Sequence, residues 1–306
     1  MGENKSNNNF WRVIWKSVKG TSHIRSGLPN QDAISFSVSN HISGLPLIVA
    51  ISDGHGSAKS FRSHVGSEFA VKESISIILE IFDEYYKNDI QNYSFIKNEL
   101  ADRLPKKIVQ AWRRNVEIHV QKNPFTSDEL SKLLAKEGIN AIQTIQDNIY
   151  VVYGATLLIA AVTDHFMFYL QLGDGDILNV FNNGATVKVI PRDEKFIANE
   201  TTSLCSNSSW NEFKFKFQTI SSEADLPALI LLSSDGYSNS FRDDDNFLKV
   251  GNDILEIIKN DGVKYIADNI ETWLNASSEK SGDDVTLGII TRIINEYSDN
   301  ETRSST

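Results

Sequence analysis

The run GATLLIAAVTDHFMFYLQLGDGDILNVFNNGATVKVI, residues 154–190, decides the fold class. Its apolar segments GATLLIAAV, FMFYLQL, ILNVF and ATVKVI are separated only by TDH, GDGD and NNG, connections too short for a crossover helix. Asn182, Asn183 and Gly184 supply residues that tolerate positive φ, as a tight hairpin turn requires. Strands joined by successive hairpins pair antiparallel, which rules against a doubly wound parallel sheet.

Outward from this meander the pattern alternates between strand and helix. Toward the N-terminus, FWRVIWKSV, AISFSVS and PLIVAIS read as strands set apart by Gly, Pro, Ser and Asn turn residues. Between about 58 and 148 apolar residues recur at three- and four-residue spacing, in segments over 67–86, 94–121 and 127–148. Ser127 is the expected cap of the last, with Asp128 and Glu129 in its first turn. Toward the C-terminus come NEFKFKFQTI and LPALILLSS as strands, a helical segment over roughly 249–274, and a last strand VTLGIITRI. The simplest packing of this order is an α+β arrangement of two antiparallel sheets with helices outside them. One domain over 11–293 is expected, with polar tails over 1–10 and 294–306.

Composition narrows the function classes. A hydrophobic share of 41% and a net charge of −10 describe a soluble acidic globular protein and argue against a nucleic-acid footprint, which needs clustered Lys and Arg. No apolar run approaches the roughly 20 residues that span a bilayer, so no membrane span is expected. The single cysteine, Cys205, excludes an internal disulfide and a thiolate zinc cluster and fits a reducing, cytoplasmic compartment. The start MGENKSNNNF has no secretory pattern; Gly2 and Ser6 match the myristoylation signal, which is short enough to arise by chance.

The chemistry resides at strand ends. LIVAISDGHGSAKS, residues 47–60, runs from a strand into a glycine-bearing loop, yet Ala58 stands where a phosphate-wrapping loop needs Gly, so a nucleotide site is not supported. Two apolar strands instead end in the same tripeptide, Ser52-Asp53-Gly54 and Ser234-Asp235-Gly236. Asp32, Asp174 with Asp176, and Asp283 with Asp284 also border strands. Each alone could cap a turn. Together, with few His and no Cys nearby, they specify a hard divalent cation such as Mg²⁺ or Mn²⁺, and more than one ion.

The ordered series NQDA, DGHG, YGATL, LGDGD, LLSSDG and DDVT, with a helical block after the second, resembles the metal-dependent protein phosphatases of type 2C. The resemblance runs from about Trp11 to Arg292, and GTSH followed by PNQDA is similar to the bacterial-type branch. It implies a four-layer αββα sandwich with a binuclear Mn²⁺ or Mg²⁺ centre at one end. By family role Asp53 bridges both ions, Asp32 and the Gly54 carbonyl serve one, and Asp235 and Asp283 hold the other. Asp284 stands where the family usually has Asn, which leaves open which of the two neighbouring carboxylates turns inward. Asp174 matches a position that helps bind a third, weaker ion.

Two ions about 3.5–4 Å apart can activate a bridging water for in-line attack on phosphorus, with no phosphoenzyme. His55 is the family-matched general acid for the leaving alkoxide, its ordinary pKa of about 6.5 permitting protonation at neutral pH. Gly27 occupies the position of the family's phosphate-gripping Arg, and Arg25 is the candidate replacement if SGLP forms a wider loop. His23 is expected to be a structural, hydrogen-bonded histidine. The reading is thus a serine/threonine protein phosphatase acting on phosphoserine or phosphothreonine proteins. Alternatives are a catalytically inactive regulatory module or a small-molecule phosphomonoesterase of the same fold. Residues 193–210 are expected to form a flap beside the site. The opposing kinase is not legible.

Overall fold

The computed structural model describes residues 9–87, 93–191 and 202–294. One five-stranded sheet orders β1 (Asn9–Val18), β10 (Val285–Ile294), β9 (Leu229–Ser233), β6 (Asp176–Val180) and β7 (Thr186–Lys188). The other orders β2 (Ala33–Val38), β3 (Leu47–Ser52), β4 (Leu157–Val162), β5 (Phe166–Leu172) and β8 (Lys214–Thr219). Every strand pair among the described residues is antiparallel. The run 154–190 is two hairpins, β4–β5 and β6–β7, and not the expected continuous meander: GDGD carries the chain from one sheet to the other, so β5 and β6 do not pair.

Alternating side chains build three apolar layers. In β3, Leu47, Val49 and Ile51 face Ile230, Leu232 and Ile290 of the other sheet, while Ile48 and Ala50 face helices. Burial on both faces explains why β3, β4 and β5 read as continuous apolar runs without polar alternation. The helical block α2 (Ser63–Lys87), α3 (Tyr93–Asn98), α4 (Leu104–Lys122), α5 (Ser127–Glu137) and α6 (Ile139–Asp147) covers the second sheet, with Trp112 and Phe82 fully buried beneath it. Helices α8 (Asp244–Asp261) and α9 (Val263–Ser281) cover the first sheet through Phe247, Ile266, Ile270 and Leu274. Helices, two sheets and helices form the four layers.

Local chemistry sets where the helices break. The expected single helix over 94–121 divides at a wider π turn, Glu99–Arg103, just before Pro105, whose ring cannot follow a regular α turn. The expected helix over 127–148 divides at Gly138 with φ of 76°, and the C-terminal one at Gly262 with φ of 82°, values that favour glycine. The cap of α5 is Thr126, one residue before the expected Ser127; its hydroxyl accepts from Glu129 N–H while Glu129 reaches back to Thr126 N–H. Glu129 also binds Arg62 at 2.7 Å, and this hydrogen bond above all draws its carboxyl down to about 2. A short helix α1 (Thr21–Ser26) was not anticipated by the spacing of apolar residues. β1 takes in Asn9 and Phe10, and β10 takes in Ile294; the rest of the expected tails, residues 88–92 and the flap residues 193–201 lie outside the described residues.

Candidate metal and phosphate site

Antiparallel register delivers the carboxylates to one end of the sandwich. Ala33 pairs with Ser52, so Asp32 enters β2 beside the point where Asp53 leaves β3. Ser233 pairs with both Leu287 and Asp176, which puts Asp235, Asp283 and the β5–β6 turn carrying Asp174 at the corresponding end of the other sheet. The two sheets meet across this end through Ser234, whose hydroxyl donates to Asp32 Oδ2 at 2.7 Å and accepts from Thr286 N–H at 3.0 Å.

Asp53 is held by the start of β4. Its N–H donates to Thr156 Oγ1 at 3.0 Å and its carbonyl accepts from Thr156 N–H at 2.8 Å. Gly54 forms a bridge with Ala155 and donates its N–H to Gln31 O at 3.1 Å. A Cβ at Gly54 would stand 2.6 Å from Gln31 O and 2.9 Å from Ser63, so the close approach itself demands glycine.

Electrostatically the group is strained as a set of bare carboxylates. Burial foremost, then Asp32 and Asp235, push Asp53 well above the ordinary carboxylate range. Burial and then Asp284 raise Asp32 to about 8. Asp235 is raised by burial and by Asp174 and Asp283, with a hydrogen bond from Asp53 opposing. Burial raises Asp283 as well, against the backbone N–H of Asp284 that it accepts at 2.8 Å. Asp32 Oδ1 is buried with no hydrogen-bond partner. An all-oxygen donor set with an orphaned carboxylate oxygen and mutual repulsion fits a hard divalent cation, whose charge relieves both.

Asp283 and Asp284, indistinguishable in sequence, have different surroundings. Asp284 is buried, and its carboxylate accepts from Gly20 N–H at 2.5 Å and Gln31 N–H at 2.6 Å and meets His23 Nδ1 at 2.9 Å. Asp283 is more open and acts on Asp53 and Asp235. His23, Asp283 and Asp284 place ligand atoms within 4.8 Å of one another, but the donors around Asp284 already occupy it. Asp174 influences His55, Asp235 and Asp283, whereas Asp176 is buried against Lys188 at 3.1 Å.

His55 donates its N–H to Gly154 O at 3.0 Å, and its ring lies against Gly154: a Cβ there would stand 2.5 Å from His55 Cδ2 and 3.2 Å from Cys205 Sγ. Burial lowers the His55 pKa and Asp174 partly opposes it, so the imidazole is less readily protonated than a free one. Arg25 is exposed on α1 and makes no hydrogen bond or ion pair with the described residues. The wider loop expected at SGLP is instead a helix end, with Gly27 as its left-handed cap at φ of 70°. Of the expected flap, residues 202–210 are fixed beside His55: Thr202 Oγ1 accepts from Gly173 N–H at 2.8 Å, Leu204 N–H donates to Ala155 O at 3.0 Å, and Arg113 of α4 donates to Ser206 O at 2.7 Å.

Sequence reasoning gave no function to Ser234, Thr156 or Gly154, and none beyond structure to His23. All four stand in quoted motifs, Gly154 and Thr156 in YGATL, Ser234 in LLSSDG and His23 in GTSH, which gave no function to any of them.

A two-sheet sandwich flanked by helices, with carboxylates converging from both sheets, defines an αββα architecture suited to hard divalent cations. The family model for protein phosphatase 2C matches residues 19–275, and the chain belongs to that family as a metal-dependent serine/threonine protein phosphatase. The match ends before Asp283 and Asp284. Among solved structures, the serine/threonine phosphatase Stp1 from Staphylococcus aureus is similar with a TM-score of 0.56 at 13% identity, covering 96% of this chain and 100% of that one. PppA of Pseudomonas aeruginosa, described as a regulatory component of T6SS, is similar at 0.54 and 15%, covering 94% and 100%. The catalytic domain of the phosphatase PstP, in complex with two manganese ions, is similar at 0.52 and 16%, covering 93% and 99%. No curated protein matches this chain.

Proposed function

We propose that this chain, as one catalytic domain over 11–293, hydrolyses phosphoserine and phosphothreonine monoesters in proteins at a binuclear Mn²⁺ or Mg²⁺ centre. The observation that carries the reading is the convergence of Asp32, Asp53, Asp235 and Asp283, from both sheets, into one mutually repelling group. Asp53 would bridge the ions, with Asp32 and the Gly54 carbonyl toward one and Asp235 and Asp283 toward the other; Asp174 is suited to a third, weaker ion. Two such ions would supply an activated water and screen the phosphoryl oxygens.

The chain's own residues orient the substrate and manage the leaving-group proton. Arg25, which makes no hydrogen bond or ion pair with the described residues, would be the residue to meet a phosphate dianion, although the loop expected to carry it there is a helix end. His55 would donate its proton to the departing alkoxide; burial lowers its pKa and Asp174 opposes that effect. Residues 202–210 beside His55 form one wall of the approach. The free thiol of Cys205 supports a reducing, cytoplasmic setting. No helix among the described residues is long and apolar enough to cross a membrane.

The test is hydrolysis of p-nitrophenyl phosphate and of a phosphothreonine peptide with and without Mn²⁺. Turnover of both that requires the ion and disappears in Asp53→Ala and Asp235→Ala is expected. A folded protein with no metal-dependent turnover of either would contradict the reading.

A further inference from the structure

We propose that Asp284, paired with His23, is a positioning residue that sets the spacing of the metal ligands and is not itself a ligand; this rests on the metal centre proposed above. Asp284 is 3% exposed, and its two oxygens serve three donors drawn from different parts of the fold. One oxygen accepts from Gly20 N–H at 2.5 Å, at the entry to α1. The other accepts from Gln31 N–H at 2.6 Å and faces His23 Nδ1 at 2.9 Å. An ion at Asp284 would have to displace these donors from a buried place, where each would be left orphaned.

Every attachment borders a proposed ligand. Gln31 precedes Asp32, and Gln31 O accepts the N–H of Gly54, the residue after Asp53. Asp284 follows Asp283, and its N–H donates to Asp283 Oδ1 at 2.8 Å. The backbone of this pair is enclosed by two glycines: a Cβ on Gly20 would stand 2.5 Å from Asp283 C, and one on Gly236, next to Asp235, 2.1 Å from Asp284 O. The Asp284 carboxylate therefore ties Gly20, His23 and Gln31, the residue before Asp32, to the segment that bears Asp283.

The charge on Asp284 is required by its geometry. An amide offers one oxygen and an NH₂, so Asn cannot accept from Gly20 and Gln31 on opposite atoms. The aspartate at 284 and the histidine at 23, one a departure from the family pattern and the other without an assigned role, act as one unit: His23 Nδ1–H supplies the donor that fixes the carboxylate rotamer. His23 is on the first turn of α1 and is buried, with a side-chain exposure of 11%.

Calorimetric Mn²⁺ titration of the wild type, Asp284→Asn, His23→Ala and His23→Asn separates the possibilities, with circular dichroism confirming folding of each. Asp284→Asn and His23→Ala are expected to keep the wild-type number of ions and to weaken binding by about 10–100-fold, the scale for partners that orient a ligand. His23→Asn, which restores an N–H near the place of Nδ1, is expected to stay within about threefold of wild type on the same scale. Should Asp284→Asn fail to fold, the contrast between His23→Ala and His23→Asn decides alone. Unchanged affinity in folded His23→Ala and Asp284→Asn overturns the proposal, and so does loss of one ion from Asp284→Asn, which would make it a ligand. A wild type that binds no Mn²⁺ would instead overturn the metal centre and this inference with it.

Discussion

Ser52-Asp53-Gly54 and Ser234-Asp235-Gly236 are the same tripeptide at the end of the same kind of apolar strand, and they fold differently. In the first, the backbone stays extended because β4 continues alongside, bonding Thr156 to Asp53 in both directions and bridging Ala155 to Gly54. In the second, the chain turns at once into a short helix α7 (Asp235–Ser238), and Asn239 one turn later donates to Asp235 Oδ2 at 3.1 Å. The serines diverge too: Ser52 donates to the Thr156 carbonyl, Ser234 to the Asp32 carboxylate of the opposite sheet. The repeat delivers two carboxylates to one end of the sandwich, each with different neighbours: Asp53 feels Asp32, Asp235 and Asp283, and Asp235 feels Asp53, Asp174 and Asp283.

The largest effects should come from removing either aspartate. Asp53→Ala and Asp235→Ala are each expected to lower Mn²⁺-dependent kcat by at least about 10²–10³-fold, the scale of losing a strong electrostatic stabiliser. A folded Asp53→Ala that keeps wild-type turnover would break the comparison. Next in size is Gly154→Ala, which drives a methyl into the His55 ring. Turnover of the phosphothreonine peptide should fall by about 10²-fold, the low end for general acid catalysis, while that of p-nitrophenyl phosphate, with its better leaving group, changes far less. Equal losses on both substrates would remove His55 from the leaving-group step.

Proton linkage gives a third prediction. Asp32 is raised from 3.8 to about 8 in the metal-free fold, so the folded chain holds a proton that the unfolded chain releases at lower pH. That contribution to stability is complete below about pH 4 and is lost as pH climbs through about 8. The Tm of the metal-free protein should therefore fall between pH 5 and 8 by more than about 5 °C, and Mn²⁺ should flatten the dependence. A metal-free Tm that rises over that interval would contradict the clustered carboxylates.

The smallest expected effect sharpens the serine contrast. Ser234→Ala removes a bond to a carboxylate and should cost about 1.5–3 kcal/mol in the metal-loaded protein, against about 0.5–1.5 for Ser52→Ala, which loses a bond to a carbonyl. Chemical denaturation of both variants measures the difference, and equal costs would deny Ser234 its link between the sheets.

How much of this could be read in the chain follows from the range of the interactions. Hairpin turns and doubly buried strands are local, so NNG and the apolar runs of residues 154–190 foretold antiparallel pairing, while the passage of GDGD from one sheet to the other was not legible in it. Breaks at Pro105, Gly138 and Gly262 were equally local in cause, yet the three- and four-residue apolar spacing continues across them and hides the division. The carboxylates were visible because they stand at strand ends. Their partners were not, since Ser234 meets Asp32 from 202 residues away and His23 meets Asp284 from 261 away. The identical look of Asp283 and Asp284 is the clearest case: the side chain of one is enclosed by Gly20, His23 and Gln31, and nothing within a few residues of either announces it.

The central claim, that Asp53 sits between two ions while Asp235 holds one, is tested most directly by counting Mn²⁺ ions bound tightly by the wild type, Asp235→Ala and Asp53→Ala. Two ions in the wild type, one in folded Asp235→Ala and none in folded Asp53→Ala is the predicted result. Equal stoichiometry in the two variants, or a wild type that binds a single ion, would contradict it.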